Sequence, residues 1–220
     1  MRKSNLITRL LFPEKCLLCG KLLQKQDHLL CRQCSQDAPD ANGMKKKIPM
    51  LSGSCALWYY EDHVRHSLLR FKFWRRRSYA LGYGWFLAQK LQNVHQRYDL
   101  ITWVPVSRRR KLKRGFDQVE LIAHALCREL QVPPVPCLKK IRHNPPQASI
   151  PSAAQRRANV LGVYKVRDPE LVAGKRILLL DDIITTGATI SECAKMLMAS
   201  GAKEVYGVAV AATRQYKSNQ

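Results

Sequence analysis

Ile177-Leu178-Leu179-Leu180-Asp181-Asp182-Ile183-Ile184-Thr185-Thr186-Gly187-Ala188-Thr189 is the stretch that decides the fold of this 220-residue chain. Four aliphatics in a row, Ile177 to Leu180, are too few for a helix and apolar on both faces. That is the pattern of a central parallel strand. Two carboxylates follow at its carboxyl end, then a run of small and hydroxyl residues. A helix starts at once, with Ile190, Cys193, Ala194, Leu197 and Met198 on one face. Thr189 and Glu192 have capping-box spacing, and Gly201 stands where a left-handed helix end belongs.

That order has a chemical meaning. Backbone N–H groups at a helix start, with the macrodipole behind them, form an anion site. Gly187 lets a phosphate approach the backbone closely, and Thr185, Thr186 and Thr189 add hydroxyl donors. Asp181 and Asp182 suit the neighbouring hydroxyls of a polyol and leave a place for Mg²⁺ bound through water. A phosphorylated sugar fits both halves; a solvated acidic turn before a capped helix is the plain alternative.

Two acids followed by Thr-Thr-Gly-x-Thr after an apolar strand resemble the phosphoribosyl pyrophosphate (PRPP) loop of type I phosphoribosyltransferases. The resemblance implies an α/β fold, a Rossmann-like parallel sheet flanked by helices. It puts Asp181 and Asp182 on the ribose hydroxyls and Thr185, Thr186, Gly187, Ala188 and Thr189 around the 5′-phosphate.

The charge balance points the same way. Lys and Arg number 38 against 16 Asp and Glu, a net charge of +22, and such a surplus attracts polyanions: nucleic acid, phosphorylated substrates or anionic membrane. A merely basic surface is the bland alternative. No apolar run reaches the length of a membrane span, so no membrane insertion is expected. The run from Leu6 to Phe12 is broken by Arg9 and followed by no cleavage site, and a cytoplasmic protein is expected.

Cys16-x-x-Cys19 and Cys31-x-x-Cys34 offer four thiolates to one tetrahedral ion. A segment this short builds no core of its own, so structural Zn²⁺ is expected to supply its stability. Redox dithiols are the alternative. Turn formers and the run Lys45-Lys46-Lys47 read as a linker. The expected division is a zinc module with its linker over 1–48 and a larger domain over 49–220. Loss of the module is expected to leave the phosphate site largely intact.

Within the larger part, Cys55 to Tyr60 reads as a strand and about Asp62 to Phe71 as a helix. Lys72-Phe73-Trp74-Arg75-Arg76-Arg77 then reads either as a base-stacking strip for single-stranded nucleic acid or as core aromatics beside solvated bases. A further helix is expected with Leu81, Trp85, Ala88, Leu91 and Val94 inward. Leu100 to Val106 reads as a second buried strand, followed by the basic loop Ser107-Arg108-Arg109-Arg110-Lys111-Leu112-Lys113-Arg114. Open α/β sheets bind ligands at this end. The loop, with Val106, Ser107, Arg108 and Arg114, is where a pyrophosphate leaving group would be held. A helix starting at the N-cap Asp117 follows.

Val104-Pro105 with Arg114-Gly115-Phe116-Asp117-Gln118 is similar to the Val-Pro…Arg-Gly-Phe-Asn-Gln signature of the ComF/GntX family, Asp117 replacing Asn. The four-cysteine start is also typical there. The resemblance implies a lid over residues 142–160 that covers PRPP, with Arg142, Gln147, Arg157 and Asn159 at matching positions and Arg142 over the leaving group. The implied chemistry is phosphoribosyl transfer from Mg²⁺-bound PRPP, with Asp181, Asp182 and Arg142 as the catalytic set. It also implies a link to DNA uptake in natural competence. The rival reading is a non-catalytic accessory or PRPP-sensing regulator that handles single-stranded DNA beside a helicase-like ATPase.

Overall fold

The computed structural model describes residues 14–42, 44, 47–74, 76–92, 97–145 and 150–214. Its centre is a parallel sheet in the order β1-β6-β5-β2. The strands are β1 (Gly53–Tyr59), β2 (Leu100–Trp103), β5 (Arg176–Ile184) and β6 (Glu204–Ala212). A separate antiparallel pair joins β3 (Leu138–Lys140) to β4 (Tyr164–Val166). The helices are α1 (Arg32–Asp37), α2 (Asp62–Phe73), α3 (Tyr79–Gln92), α4 (Arg108–Arg114), α5 (Gln118–Leu130), α6 (Ala153–Ala158) and α7 (Ala188–Ala199).

Side chains alternate along β5, and each face has its own core. Leu178 and Leu180 join one cluster with Leu68 and Phe71 of α2, Tyr83 of α3 and Ile122 of α5. Ile177 and Leu179 join another with Ile190 and Leu197 of α7 and with Leu138 and Tyr164 of the antiparallel pair. The result is a parallel sheet buried on both sides by helices, which is why its strands are apolar on both faces.

Several sequence expectations shift. β5 does not stop at Leu180; it pairs with β6 up to Ile184↔Ala212, so the two acids lie inside the strand. β2 ends at Trp103, and its last bond to β5 runs from Val104 N to Leu180 O at 2.9 Å. Beyond that point β5 has lost its β2 neighbour, and Asp181 and Asp182 follow just past the end of β2. The basic loop is a short helix, α4. Ser107 caps it by accepting from Arg110 N, and Gly115 closes it at φ 79°. Arg, Lys and Leu are good helix formers, so a serine before and a glycine after suffice.

The inward face of α3 is Ala80, Tyr83, Leu87, Ala88 and Leu91, while Leu81 is exposed; Val94 lies outside the described residues. Asp117 does cap α5, accepting from Val119 N and Glu120 N. The Thr189–Glu192 capping box does not form: Gly187 is the N-cap of α7, and Glu192 accepts from Gly162 N at 3.0 Å instead.

The stretch read as a linker is partly built into the sheet. Ala41 N donates to Leu57 O and Tyr59 N to Pro39 O, so residues 39–41 line the open edge of β1. Lys45 and Lys46 lie outside the described residues.

Candidate functional site

The four predicted cysteines meet in space. Their sulfurs all lie within 4.8 Å of one another, and Cys19 Sγ and Cys31 Sγ are 3.7 Å apart. A tetrahedron of Zn–S bonds of about 2.3 Å needs edges of about 3.8 Å, whereas a disulfide needs about 2.05 Å. The donor set and its spacing fit zinc. Burial pushes the Cys16 thiol up, but amides of Cys19, Cys31 and Leu18 outweigh it and bring the thiol to about 7. A closed Cys₄ site has no open position, so its role is structural. Elemental analysis is expected to find a single zinc per chain, and Cys16→Ser to release it with a loss of stability on the order of several kcal/mol. Full retention of folding in a metal-free, reduced protein would contradict this.

The second site lies at the carboxyl ends of β5 and β2. Because β5 continues past the acid pair, Asp181 and Asp182 point to opposite faces of the sheet. Both are nearly buried, at 9% and 8% exposure. Asp181 Oδ1 accepts from Asp182 N at 2.8 Å. Burial, then the charge of Asp182, hold the Asp181 carboxyl well above the usual range.

Asp182 differs. Burial pushes it up, but Lys72 and Gln118 win and hold it ionised, below its ordinary value. The Lys72 ammonium lies 2.9 Å from Asp182 Oδ2, and Gln118 Nε2 donates to the same oxygen at 3.0 Å. Neither partner is an expectation of the sequence reading. Lys72 sits in the strip that reads either as base-stacking or as core aromatics beside solvated bases, and Gln118 closes the Arg-Gly-Phe-Asp-Gln motif without an assigned role.

Two more cations lie within electrostatic reach of the acid pair, Lys140 of Asp181 and Arg110 of Asp182. Burial and the Arg110 guanidinium draw the Lys140 ammonium down to about 8, and Lys140 Nζ sits 5.3 Å from the centre of the Tyr164 ring. Arg110 donates to Asn144 O at 3.0 Å.

Downstream, Gly187 adopts φ 83° and starts α7. Ala188 N donates to the Thr186 hydroxyl at 3.3 Å, and Thr185 O accepts from Thr213 at 3.3 Å. Thr189 lies in the first turn of α7. Ile48 covers Gly187, and Ser191 donates to Pro49 O, so residues 48–49 lie over the helix start.

The other predicted residues are more scattered. Val106 N donates to Asp117 Oδ2 at 3.1 Å. Ser107 contacts His143 Nδ1 at 3.3 Å. Arg108 is exposed on α4, and the Arg114 guanidinium lies 5.4 Å from the Phe73 ring. Arg142 is tied to the carbonyls of Leu161 and Gly162, with no described bond to the acids. Asn144 donates to Asn159 O at 2.8 Å and fastens the two ends of the expected lid; Gln147 lies outside the described residues.

Fold and site define a phosphoribosyltransferase-type domain joined to a four-cysteine zinc ribbon. Residues 120–220 match the family model of the phosphoribosyl transferase domain, and residues 7–44 that of the double zinc ribbon domain. The chain is 28% identical to "Competence protein ComFC" of Streptococcus pneumoniae, over 87% of this chain and 96% of that one. It is 28% identical to "DNA utilization protein YhgH" of Escherichia coli O157:H7, over 86% of each. It is 27% identical to "Competence protein F" of Haemophilus influenzae, again over 86% of each. The resemblance to the ComF/GntX family read from the sequence therefore extends over most of the chain. Among the described residues, no helix is long and apolar enough to cross a membrane.

Proposed function

We propose that this protein binds PRPP at the carboxyl ends of β5 and β2 and transfers its phosphoribosyl group to an acceptor, inside the cell. One observation carries this reading: a buried acid pair and a left-handed glycine at a helix start lie on one strand–loop–helix unit, just past the end of β2. The amides of 185–189 receive the 5′-phosphate. The acids take the ribose hydroxyls and favour the positive charge that develops on the sugar.

The bond from the anomeric carbon to the pyrophosphate oxygen breaks, and its electron pair leaves with pyrophosphate. The acceptor's lone pair forms the new bond, and the acceptor loses a proton. Cations of 108–114, with Val106 and Ser107 at the start of that segment, hold the leaving group, and Arg142 covers it. Mg²⁺, when bound, neutralises the pyrophosphate. Lys72 and Gln118 occupy Oδ2 of Asp182, and the acids would hold that ion through water. Calorimetry with PRPP and Mg²⁺ tests binding, and pyrophosphate release across a panel of acceptors tests transfer. No heat of binding at millimolar PRPP would remove the reading.

A second reading, single-stranded DNA handling alongside a helicase-like ATPase, is favoured by one surface. Phe73 and Trp74 are 61% and 70% exposed, with the Arg114 guanidinium over Phe73. Trp74 therefore offers a stacking face and is not part of the core. Trp74→Ala is expected to weaken oligonucleotide binding by about 1–3 kcal/mol, with thermal stability unchanged. Affinity should fall with salt by a slope of roughly −0.7 per phosphate contact. Arg77 lies over the Phe116 ring and donates to Gly115 O, and Arg75 lies outside the described residues. Fluorescence anisotropy at several salt concentrations measures both quantities; an absence of binding at low salt would eliminate this reading.

A further inference from the structure

Lys72 lies in the last turn of α2, and Gln118 is the first residue of α5. Both donate to the same oxygen of Asp182, Oδ2, which leaves Oδ1 for a ligand. An ionised carboxylate only accepts, so Gln118 must present Nε2 to it. The amide oxygen of Gln118 is thereby fixed as an acceptor, and it is buried with no partner among the described residues. A buried acceptor without a donor is costly, and a ligand hydroxyl supplies that donor.

The zinc module grips the helix that carries Lys72. Ser67 of α2 donates to Leu17 O and Arg70 to Leu18 O. Those two carbonyls belong to the turn between Cys16 and Cys19. Leu17 is also packed against Gly82 of α3, and the Ser67 hydroxyl lies 2.6 Å from that of Tyr83. The turn between Cys16 and Cys19, α2 and α3 share one buried cluster, and Lys72 of α2 reaches the acid.

We propose that Lys72 and Gln118 are positioning residues that aim Asp182 at a ligand hydroxyl, and that the zinc ribbon braces this arrangement through α2. Zinc bound at the four cysteines thereby sets the affinity of the sugar-phosphate site. The proposal rests on the PRPP reading of that site.

Two sets of variants in the full, zinc-loaded chain test it. Lys72→Met keeps the length of the side chain and removes its charge. It is expected to weaken Mg²⁺-PRPP binding by about tenfold or more, with zinc content unchanged, and Lys72→Arg should recover part of the loss. The double variant Ser67→Ala/Arg70→Met breaks the brace without touching a metal ligand or the acid. It is expected to keep its zinc, to speed hydrogen exchange over 118–120 and 180–184, and to weaken PRPP by about fivefold or more. Unchanged PRPP affinity in Lys72→Met overturns the positioning role. Unchanged exchange at those two segments in the double variant overturns the brace. Should the parent protein itself fail to bind PRPP, the sugar-phosphate reading falls, and the exchange measurement still decides the brace.

Discussion

Gly187→Val is expected to abolish PRPP binding, lowering the affinity by more than about 100-fold, and to destabilise the chain by about 1–3 kcal/mol. Gly187 holds φ 83° at the start of α7, a conformation that a β-branched residue adopts only under strain. The site is also closed by packing: a Cβ there would stand 3.1, 3.2 and 3.3 Å from three carbons of Ile48. The valine must therefore either push Ile48 away or turn the loop, and a turned loop no longer aims its amides at the 5′-phosphate. Calorimetric titration gives the affinity, and a melting curve gives the stability. Ile48→Ala separates the causes. It relieves the clash and leaves the backbone demand, so binding in the double variant should stay lost. Native-like affinity in Gly187→Val would place the phosphate elsewhere.

Asp181→Asn is expected to move stability and binding in opposite directions. The Asp181 carboxyl titrates well above its ordinary value of 3.8, first because it is buried and then because Asp182 stands beside it. A group whose folded pKa is raised stabilises the fold fully below its unfolded pKa. That stability is lost as pH rises from about 4 towards the folded value. Above about pH 4 the raised carboxyl therefore costs the native state stability relative to the unfolded chain, where the same group ionises freely.

Asparagine has no proton to lose, keeps an oxygen for the Asp182 amide that now bonds Asp181 at 2.8 Å, and has almost the same shape. The variant should therefore melt higher at pH 7–8. Relief of a strained functional site typically gives about 1–2 kcal/mol, or about 2–8 °C at this size. The gain should shrink towards pH 4. PRPP affinity should fall by about tenfold or more, because an acceptor for a ribose hydroxyl has lost its charge. A variant that melts lower than the parent at pH 8 would mean that the Asp181 carboxyl is not held above its ordinary range in the folded chain.

The local signals carried far. The run Ile177–Leu180, the acids after it, the Thr-Thr-Gly loop and the α7 face were legible because each depends on residues near in sequence. The cysteine pairs were legible for a related reason: a tetrahedral site asks for four thiolates in two close turns, and spacing alone supplies them. Asp117 as a cap also needed only its own neighbours. Even α4 has its serine cap and glycine stop in view; its run of cations reads as a loop, although Arg and Lys favour helix.

Tertiary structure decided the rest, because it turned on partners far away in the chain. Whether β5 ends at Leu180 or at Ile184 depends on β6, which pairs with it up to Ala212. That pairing sends Asp181 and Asp182 to opposite faces and gives them opposite titration. Lys72 and Asp182 are joined only when α2 is laid against the sheet by Leu68 and Phe71. The same packing carries the Cys16–Cys19 turn onto Ser67 and Arg70. It also leaves Trp74, one residue past the end of α2, in solvent. The sequence by itself determined the fold class, the four-cysteine cluster and the strand–Thr-Thr-Gly–helix unit, each set by short-range periodicity, turn chemistry or spacing. Only the folded chain decided which acid keeps its charge, because that follows from burial and from cations that no local pattern brings near.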